Sequence, residues 1–398
     1  MLNPTYIDCI AIQNMTSKSS TLFQSFTFRN GQTLRNRIVM APMTTWSANP
    51  DGSISDAELD YYRRRVQGVG MVITGCTHVT ENGIGFTNEF AAHDDRFIPS
   101  LRRLAVAAKS GGAPAILQIF HAGNKAVVDA VPAGELVSAS AVSPLAGPFN
   151  RDDVQPRALT HAEIRNMVHA FGEATRRAID AGFDGVELHG AHGFLLQNFF
   201  SPRYNQRSDD WGGSLEGRQR FPLEVVAEAQ RVIAAYAQRP FLLAYRISPE
   251  EREQRGYRVS DTFALIDSLI KGGIDYLHVS LNDVLNARPL GTDSRLTVEQ
   301  ILKHVSNRLP VLAAGSLRTP TEARVALDLG LSLVAIGKGL VMNPDWVELA
   351  RASNDEKIHR EIDLNNRPQL SIPSGLWNAI EAAPGWIPIR QVDSAVLA

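Results

Sequence analysis

Residues 186–218 read VELHGAHGFLLQNFFSPRYNQRSDDWGGSLEGR, and this stretch predicts both the fold and the place of a functional site. It begins with the apolar residues of a buried strand and reaches two histidines, His189 and His192. Residues three apart point to opposite faces of a strand that continues. Glycines at 190 and 193 therefore indicate that the chain turns out of the strand, so that both imidazoles can face one pocket. Such a pocket at the carboxyl end of a strand is where α/β barrels carry out chemistry.

Outward from this stretch, strand-like apolar runs alternate with helix-like periods along the whole chain. Strands are predicted at 37–43, 70–79, 113–120, 183–189, 240–247, 274–280, 310–315 and 331–337. Helices are predicted at 56–67, 97–110, 160–181, 215–238, 261–272, 297–308, 319–329 and 344–353. Eight strands each followed by a helix predict a closed parallel (β/α)8 TIM barrel, and the consecutive apolar residues of the runs are typical of strands covered on both faces.

The barrel is expected to occupy residues 21–353 as a single domain. A flexible leader at 1–20 precedes it, and an irregular C-terminal extension at 354–398, rich in proline, is expected to pack on the barrel or on a neighbouring subunit. Two long connections, 121–159 and 190–214, follow the third and fourth strands. Because both leave strand carboxyl ends, we expect them to build the catalytic face.

Composition narrows the range of partners. The 398 residues are 44% apolar and 21% charged with a net charge of −2, so no overall field favours nucleic acid or an anionic membrane. The two cysteines, Cys9 and Cys76, provide neither a disulfide framework nor an iron–sulfur cluster. Residues 1–20 show no basic n-region followed by a long apolar h-region, and no apolar run approaches the ~18 residues of a membrane span. We expect a cytoplasmic protein that acts on small molecules and does not bind nucleic acid or membrane.

Polar side chains mark the ends of further strands. The first strand ends in residues 41–46, Ala-Pro-Met-Thr-Thr-Trp, where the Thr44 hydroxyl is either a local cap or a ligand contact. Gln118 lies in the third strand and needs a partner, either inside the barrel or on the edge of a planar ligand. Arg246 ends the fifth strand, and its permanent charge requires an anion, solvent or a salt bridge at the rim.

Glycines follow the seventh and eighth strands, at Gly315-Ser316 and Gly337-Lys338. Backbone N–H groups at this place form the usual phosphate pocket of such barrels, and a lysine adds a point charge. The alternative is simple tight packing where strand meets helix.

The two histidines of the opening stretch allow three interpretations. With Glu187 they have the residue types of a metal site, but no third open-site ligand suggests itself, and no metal is expected. They could also be a purely structural pair. Hydrogen-bond donation to a substrate is the interpretation that we favour.

Four segments together resemble the Old Yellow Enzyme family of FMN-dependent ene-reductases and NAD(P)H:flavin oxidoreductases. They are LRNRIVMAPMT at 34–44, QIFHAGNK at 118–125, ELHGAHGFLLQNFFSP at 187–202 and NQRSDDWGGSLEGRQRF at 205–221, and the last is highly specific. Their order and spacing are those of the family, and the resemblance runs from about Leu34 to Trp346. It implies tightly bound, non-covalent FMN and NADH or NADPH as reductant, and leaves a homo-oligomer possible.

The resemblance also implies roles for individual residues. His189 and His192 would be catalytic, donating hydrogen bonds to an oxygen of a substrate stacked on the flavin, in a pocket that Trp46 and Phe194 line. The residues implied in FMN binding are Ala41, Pro42, Met43 and Thr44 along the ring, Cys76, Gln118 and Arg246 at its pyrimidine side, and Gly315, Ser316, Gly337 and Lys338 at the phosphate. For Cys76, a buried inert thiol is an equal alternative. The family usually has an arginine at the position of Lys338. Lysine lacks the planar guanidinium that can donate two hydrogen bonds to one phosphate.

Phe194 departs from the family, which usually has tyrosine there as the acid that protonates the substrate carbon. Phenylalanine cannot donate a proton, so we expect protonation from water or another residue and poor turnover of simple enones. The sequence thus predicts an enzyme that passes hydride from NAD(P)H through flavin to an activated alkene, a nitro compound or a quinone in a ping-pong cycle. A phosphate-binding barrel lyase or isomerase, and a flavin-binding protein with low turnover, are the alternatives.

Overall fold

A computed structural model describes residues 21–147, 153–291 and 295–390. The predicted leader at 1–20, with Cys9, lies outside these residues, as do the last eight residues of the predicted extension. The domain boundaries at 20 and 353 stay predictions.

Eight parallel strands close into a barrel, and they coincide with the eight predicted runs. They are β1 (Ile38–Met40), β2 (Met71–Ile73), β3 (Ala115–Phe120), β4 (Gly185–Gly190), β5 (Leu242–Ile247), β6 (Tyr276–Ser280), β7 (Val311–Ala314) and β8 (Leu333–Ile336). Each strand pairs in parallel with the next, and β8 pairs with β1, which closes the cylinder. The predicted TIM barrel is confirmed.

A helix follows each strand, as predicted. The helices are α1 (Asp56–Arg65), α2 (Ile98–Ala108), α3 (His161–Ala181), α4 (Leu215–Tyr236), α5 (Val259–Lys271), α6 (Thr297–Val305), α7 (Pro320–Asp328) and α8 (Trp346–Arg351). The predicted start of α7 is confirmed, because the Thr319 hydroxyl accepts from the Glu322 N–H and the Glu322 carboxylate accepts from the Thr319 N–H.

Both faces of the strands are buried, which explains their unbroken apolar runs. Outward-facing residues pack under the helices in one large cluster, whereas a second cluster fills the barrel interior. The interior cluster holds Val39, Ala41, Met71, Ile73, Ile116, Leu242, Ala244, Tyr276, Leu312, Ala314, Leu333 and Ala335, and Phe28 and Leu34 belong to it as well. The barrel is therefore a packed core, and a ligand can enter only at an end.

Several local features differ from the predicted elements. The second strand is broken into Met71–Ile73 and Thr77–His78, and between the two segments Gly75 lies so close to the carbonyl oxygen of Met43 that any side chain there would collide with it. A short helix, Leu195–Phe200, lies in the connection after β4. The extension contains a nine-residue helix, Ser374–Ala382, which begins directly after Pro373 and which the flanking prolines concealed from sequence patterns.

Across the ranges that the structure covers, we find no helix whose length and hydrophobicity would let it traverse a bilayer.

Candidate active site

A cavity of about 330 Å³ opens at the carboxyl ends of the strands. Nine of the residues predicted for the site line it: Ala41, Pro42, Met43, His192, Arg246, Gly315, Ser316, Gly337 and Lys338. These come from β1, β5, β7, β8 and the connection after β4, so only closure of the barrel brings them together. The other predicted residues are Thr44, Trp46, Cys76, Gln118, His189 and Phe194, and they lie next to this wall rather than in it.

The end of the cavity between β7 and β8 is positively charged. Lys338 and Arg318 both line it, and burial together with the Arg318 charge lowers the pKa of Lys338. A side chain at Gly315 would collide with the carbonyl oxygen of Leu281, and one at Gly337 would press on Met43. Two cations beside the close-packed backbone at Gly315, which only glycine permits, are suited to bind an anionic group such as a phosphate.

The part of the cavity wall that β5 contributes holds a buried guanidinium. Arg246 is 6% exposed, and its Nη2 donates to the Ser280 hydroxyl at 3.1 Å. Its Nε is buried without a hydrogen-bond partner in the described part of the chain. Burial lowers the pKa of Arg246, and the nearby Glu187 charge partly offsets this. A buried donor left unpaired is costly, so an acceptor group of a bound ligand fits here.

Gln118 has a hydrogen-bond partner inside the barrel, which is one of the two interpretations that the sequence allowed. Its Nε2 donates to Glu187 Oε1 at 2.7 Å, and the residue is 1% exposed. Glu187 accepts from residues of the barrel wall, and the described ranges hold no group of three His, Cys, Asp or Glu residues arranged to bind a metal.

The two histidines of the opening stretch lie face to edge, with ring centroids 4.9 Å apart. The turn out of β4 is as predicted, because His192 and Gly193 have φ of 61° and 77°. His189 Nδ1 accepts from the Ala191 N–H at 3.4 Å, which leaves the proton on Nε2. His192 Nε2 lies 2.7 Å from the Ser280 hydroxyl. Burial, and then neighbouring positive charges, hold both pKa values well below the ordinary range, so both rings are neutral near pH 7.

Aromatic rings cover the histidines. The Phe194 ring lies edge-on to His189 at 4.9 Å and to Phe120 at 4.8 Å. Phe86 extends this group, at 6.1 Å from Phe194 and 5.3 Å from Trp46. The Phe194 side chain has no proton to give, and it is next to the two imidazoles, where the family's tyrosine is expected to act.

Thr44 and Cys76 meet beside β1. Their hydroxyl and thiol lie 3.2 Å apart across the break in the second strand. Burial raises the pKa of Cys76 well above its ordinary value, so this thiol stays protonated and unreactive.

Four residues of this region were missed from the sequence: Phe86, Ser280, Arg318 and Trp386. Ser280 links Arg246 to His192, and Arg318 stands beside Lys338. The sequence could have indicated both residues, since Ser280 is a hydroxyl at the end of the sixth predicted strand and Arg318 is a cation three residues after Gly315. Trp386 lines the cavity from the C-terminal extension, with its ring 5.9 Å from that of Trp46, and no local pattern could have placed it there.

A buried histidine next to the site should make stability depend on pH. His121 Nδ1 accepts from the Gly123 N–H at 2.9 Å, and burial lowers the pKa of His121 to about 3. The unfolded chain takes up a proton at this residue below about pH 6.5, whereas the folded chain does not, so its effect destabilises the fold as pH falls. As the pH decreases from 6 to 4, the free energy of unfolding should fall less steeply in His121→Gln than in the wild type. The two slopes should differ by up to ~1.4 kcal/mol per pH unit. Urea denaturation at several pH values measures this, and a slope equal to that of the wild type would contradict it.

Comparison with known proteins adds the context for this geometry. Residues 21–356 match the model of the NADH:flavin oxidoreductase / NADH oxidase family. The chain is 42% identical to the probable NADH-dependent flavin oxidoreductase YqiG of Bacillus subtilis, over 94% of this chain and all of that protein. It is 32% identical to an NADPH dehydrogenase of Geobacillus thermodenitrificans, covering 86% of this chain and 97% of that one. The structure of a morphinone reductase in complex with tetrahydroNAD is similar at a TM-score of 0.71 with 27% identity, covering 83% of this chain and 90% of that one.

Proposed function

The chain belongs to the NADH:flavin oxidoreductase / NADH oxidase family, that of Old Yellow Enzyme, and from this premise we propose that its acceptor is an activated alkene, a nitro compound or a quinone. As a member it is an FMN-dependent oxidoreductase with a reduced nicotinamide as electron donor. A lyase or isomerase, one of the alternatives that the sequence left open, does not agree with these relatives.

The residues present fit FMN. Lys338 and Arg318 supply charge for its phosphate, and the unpaired Arg246 Nε supplies a donor for its pyrimidine edge. We propose that Gly315, Ser316 and Gly337 complete the phosphate site, that Ala41, Pro42, Met43 and Thr44 lie along the ring, and that Cys76 and Gln118 lie at the pyrimidine side. When bound, FMN supplies the hydride chemistry that amino-acid side chains lack.

The observation that carries the acceptor proposal is the pair of neutral imidazoles beside the cavity. With its proton on Nε2, His189 is a hydrogen-bond donor. Its ring centroid lies 4.9 Å from that of His192. Two donors aimed at one carbonyl or nitro oxygen would withdraw electrons from the conjugated double bond and stabilise the charge that develops on the oxygen. His192 would turn from Ser280 to the substrate, and Trp46 and Phe194 would enclose the substrate's apolar part.

We also propose that reductant and acceptor occupy this pocket in turn, which is a ping-pong order. His192 and Arg246 line the same cavity, so a ring stacked there reaches both. The sequence has no Gly-x-Gly-x-x-Gly fingerprint for a separate nicotinamide site. The likeness to a morphinone reductase in complex with tetrahydroNAD supports a nicotinamide as one of the ligands of this pocket.

Anaerobic stopped-flow measurements test the proposal. The flavin absorption of the purified holoprotein should bleach with NADH or NADPH, return on mixing with a nitroaromatic or a quinone, and return more slowly with 2-cyclohexenone. Double-reciprocal plots should give parallel lines for the two substrates. Bleaching without return for any acceptor would favour the low-turnover flavin protein, and intersecting lines would exclude the ping-pong order.

A further inference from the structure

One polar layer crosses the otherwise apolar barrel interior directly beneath the cavity. It consists of Gln118, Glu187, Arg246 and His278, from the consecutive strands β3 to β6. Glu187 is the register partner of Gln118, and Arg246 is that of His278. The side chains of Glu187 and His278 are both 0% exposed. Since buried charges are rare and costly, this layer calls for an explanation.

Glu187 is the centre of the layer, and Gln118, His278 and the neighbouring Tyr276 all direct a polar atom to its carboxylate. Gln118 Nε2 donates to Oε1 at 2.7 Å, the Tyr276 hydroxyl donates to Oε2 at 3.0 Å, and His278 Nδ1 lies 3.0 Å from both oxygens. Burial alone would raise the pKa of Glu187, but His278, Arg246 and Gln118 together hold it below its ordinary value. The Gln118, Tyr276 and His278 groups that converge on its two oxygens, with the Arg246 charge nearby, favour the ionised carboxylate of Glu187 at neutral pH.

An ionised carboxylate can only accept hydrogen bonds, and this settles the orientation of the Gln118 side chain. Its amide nitrogen must face Glu187, so its carbonyl oxygen Oε1 is the atom available to a ligand above. The pyrimidine ring of a flavin has one N–H donor, N3–H, between two carbonyl acceptors. An oxygen at Gln118 matches the donor, whereas a nitrogen would match the acceptors.

We propose that Glu187 is a positioning residue for the flavin, which orients the Gln118 amide and places a negative charge beneath Arg246. This rests on the proposed function, which assigns Gln118 and Arg246 to the pyrimidine edge. A cation at that edge stabilises the reduced, anionic flavin, and a carboxylate below it weakens that effect. Glu187 thus lowers the flavin midpoint potential and favours hydride delivery to the acceptor.

Glu187→Gln removes the charge and keeps the size; its amide oxygen can still accept from Tyr276 and His278, while its NH2 group faces Gln118 and turns that amide, so the variant tests both effects together. The midpoint potential of the holoprotein should rise, with the ratio of reduced to oxidised FMN affinity increasing about tenfold, which is about 30 mV for a two-electron couple. Glu187→Asp keeps the charge and should stay near the wild-type potential. Asp184→Asn is the matched control, since it removes a buried carboxylate that accepts from the Ala115 N–H at the other end of β4, and should not change the potential.

A second measurement tests the orientation without any change at Glu187. The N3–H proton of 15N-labelled FMN should exchange with solvent at least tenfold more slowly in the wild type than in Gln118→Leu. An unchanged or lower potential in Glu187→Gln would overturn the electrostatic part, and equal exchange rates would overturn the orientation. Either result would leave turnover of an acceptor by the wild type intact, so failure of this inference and failure of the proposed function are separable.

Discussion

Replacing Phe194 with tyrosine should raise the rate at which 2-cyclohexenone reoxidises the reduced holoprotein by about 10²-fold, because general acid assistance is commonly worth ~10²–10⁴ in rate. The Phe194 ring already lies 4.9 Å from His189 and 6.3 Å from His192, so the added hydroxyl enters the surroundings of the substrate. Nitro compounds and quinones need less carbon protonation and should gain much less. Stopped-flow reoxidation of protein first reduced with NADH measures the effect.

Phe86→Tyr is the control for this change. The Phe86 ring belongs to the same aromatic group, with its centroid 6.1 Å from that of Phe194. The substitution therefore adds an equivalent hydroxyl further from the histidines. Its rate with 2-cyclohexenone should stay within a few-fold of the wild type. If Phe194→Tyr gains nothing while still binding FMN and accepting electrons from NADH, then the missing tyrosine does not limit this enzyme.

His189→Leu should lower the rate of the acceptor half-reaction by about 10²- to 10³-fold, the usual loss of rate when one donor to a developing oxyanion is removed. Leucine keeps an apolar contact for Phe194, whose ring lies 4.9 Å from that of His189, so the loss should come from the missing N–H and not from packing. His189→Asn retains a donor and should recover part of the rate. Both variants should bind FMN as the wild type does.

The pH profile separates hydrogen bonding from acid catalysis by His189. Burial holds the pKa of His189 well below its ordinary value, so the ring stays neutral and the acceptor half-reaction should show no change near pH 6.5 that depends on this residue. A limb near pH 6.5 that disappears in His189→Asn would instead identify a proton donor. A loss of FMN from His189→Leu equal to its loss of rate would contradict the substrate role.

Much of the site could be predicted because barrel chemistry gathers at strand carboxyl ends. The glycines after β7 and β8, Arg246 at the end of β5 and the two histidines after β4 all occupy ends that the apolar runs mark in the sequence. Their roles in binding FMN and substrate remain predictions. Phe86 and Trp386 could not be found in this way, since each lies in a connection or extension whose path depends on what it packs against.

The sequence by itself determined the alternation of strands and helices and the residues that stand at the strand ends, because the burial period of each element is a local property. Only the tertiary structure decided what those residues touch. Glu187 and His278 are 91 positions apart, and His192 and Ser280 are 88 apart. Such pairs meet because the barrel closes, and closure depends on the packing of all eight strands at once. The charge beneath the cavity, the orientation of Gln118 and the link from Arg246 to His192 therefore appear only in the folded chain.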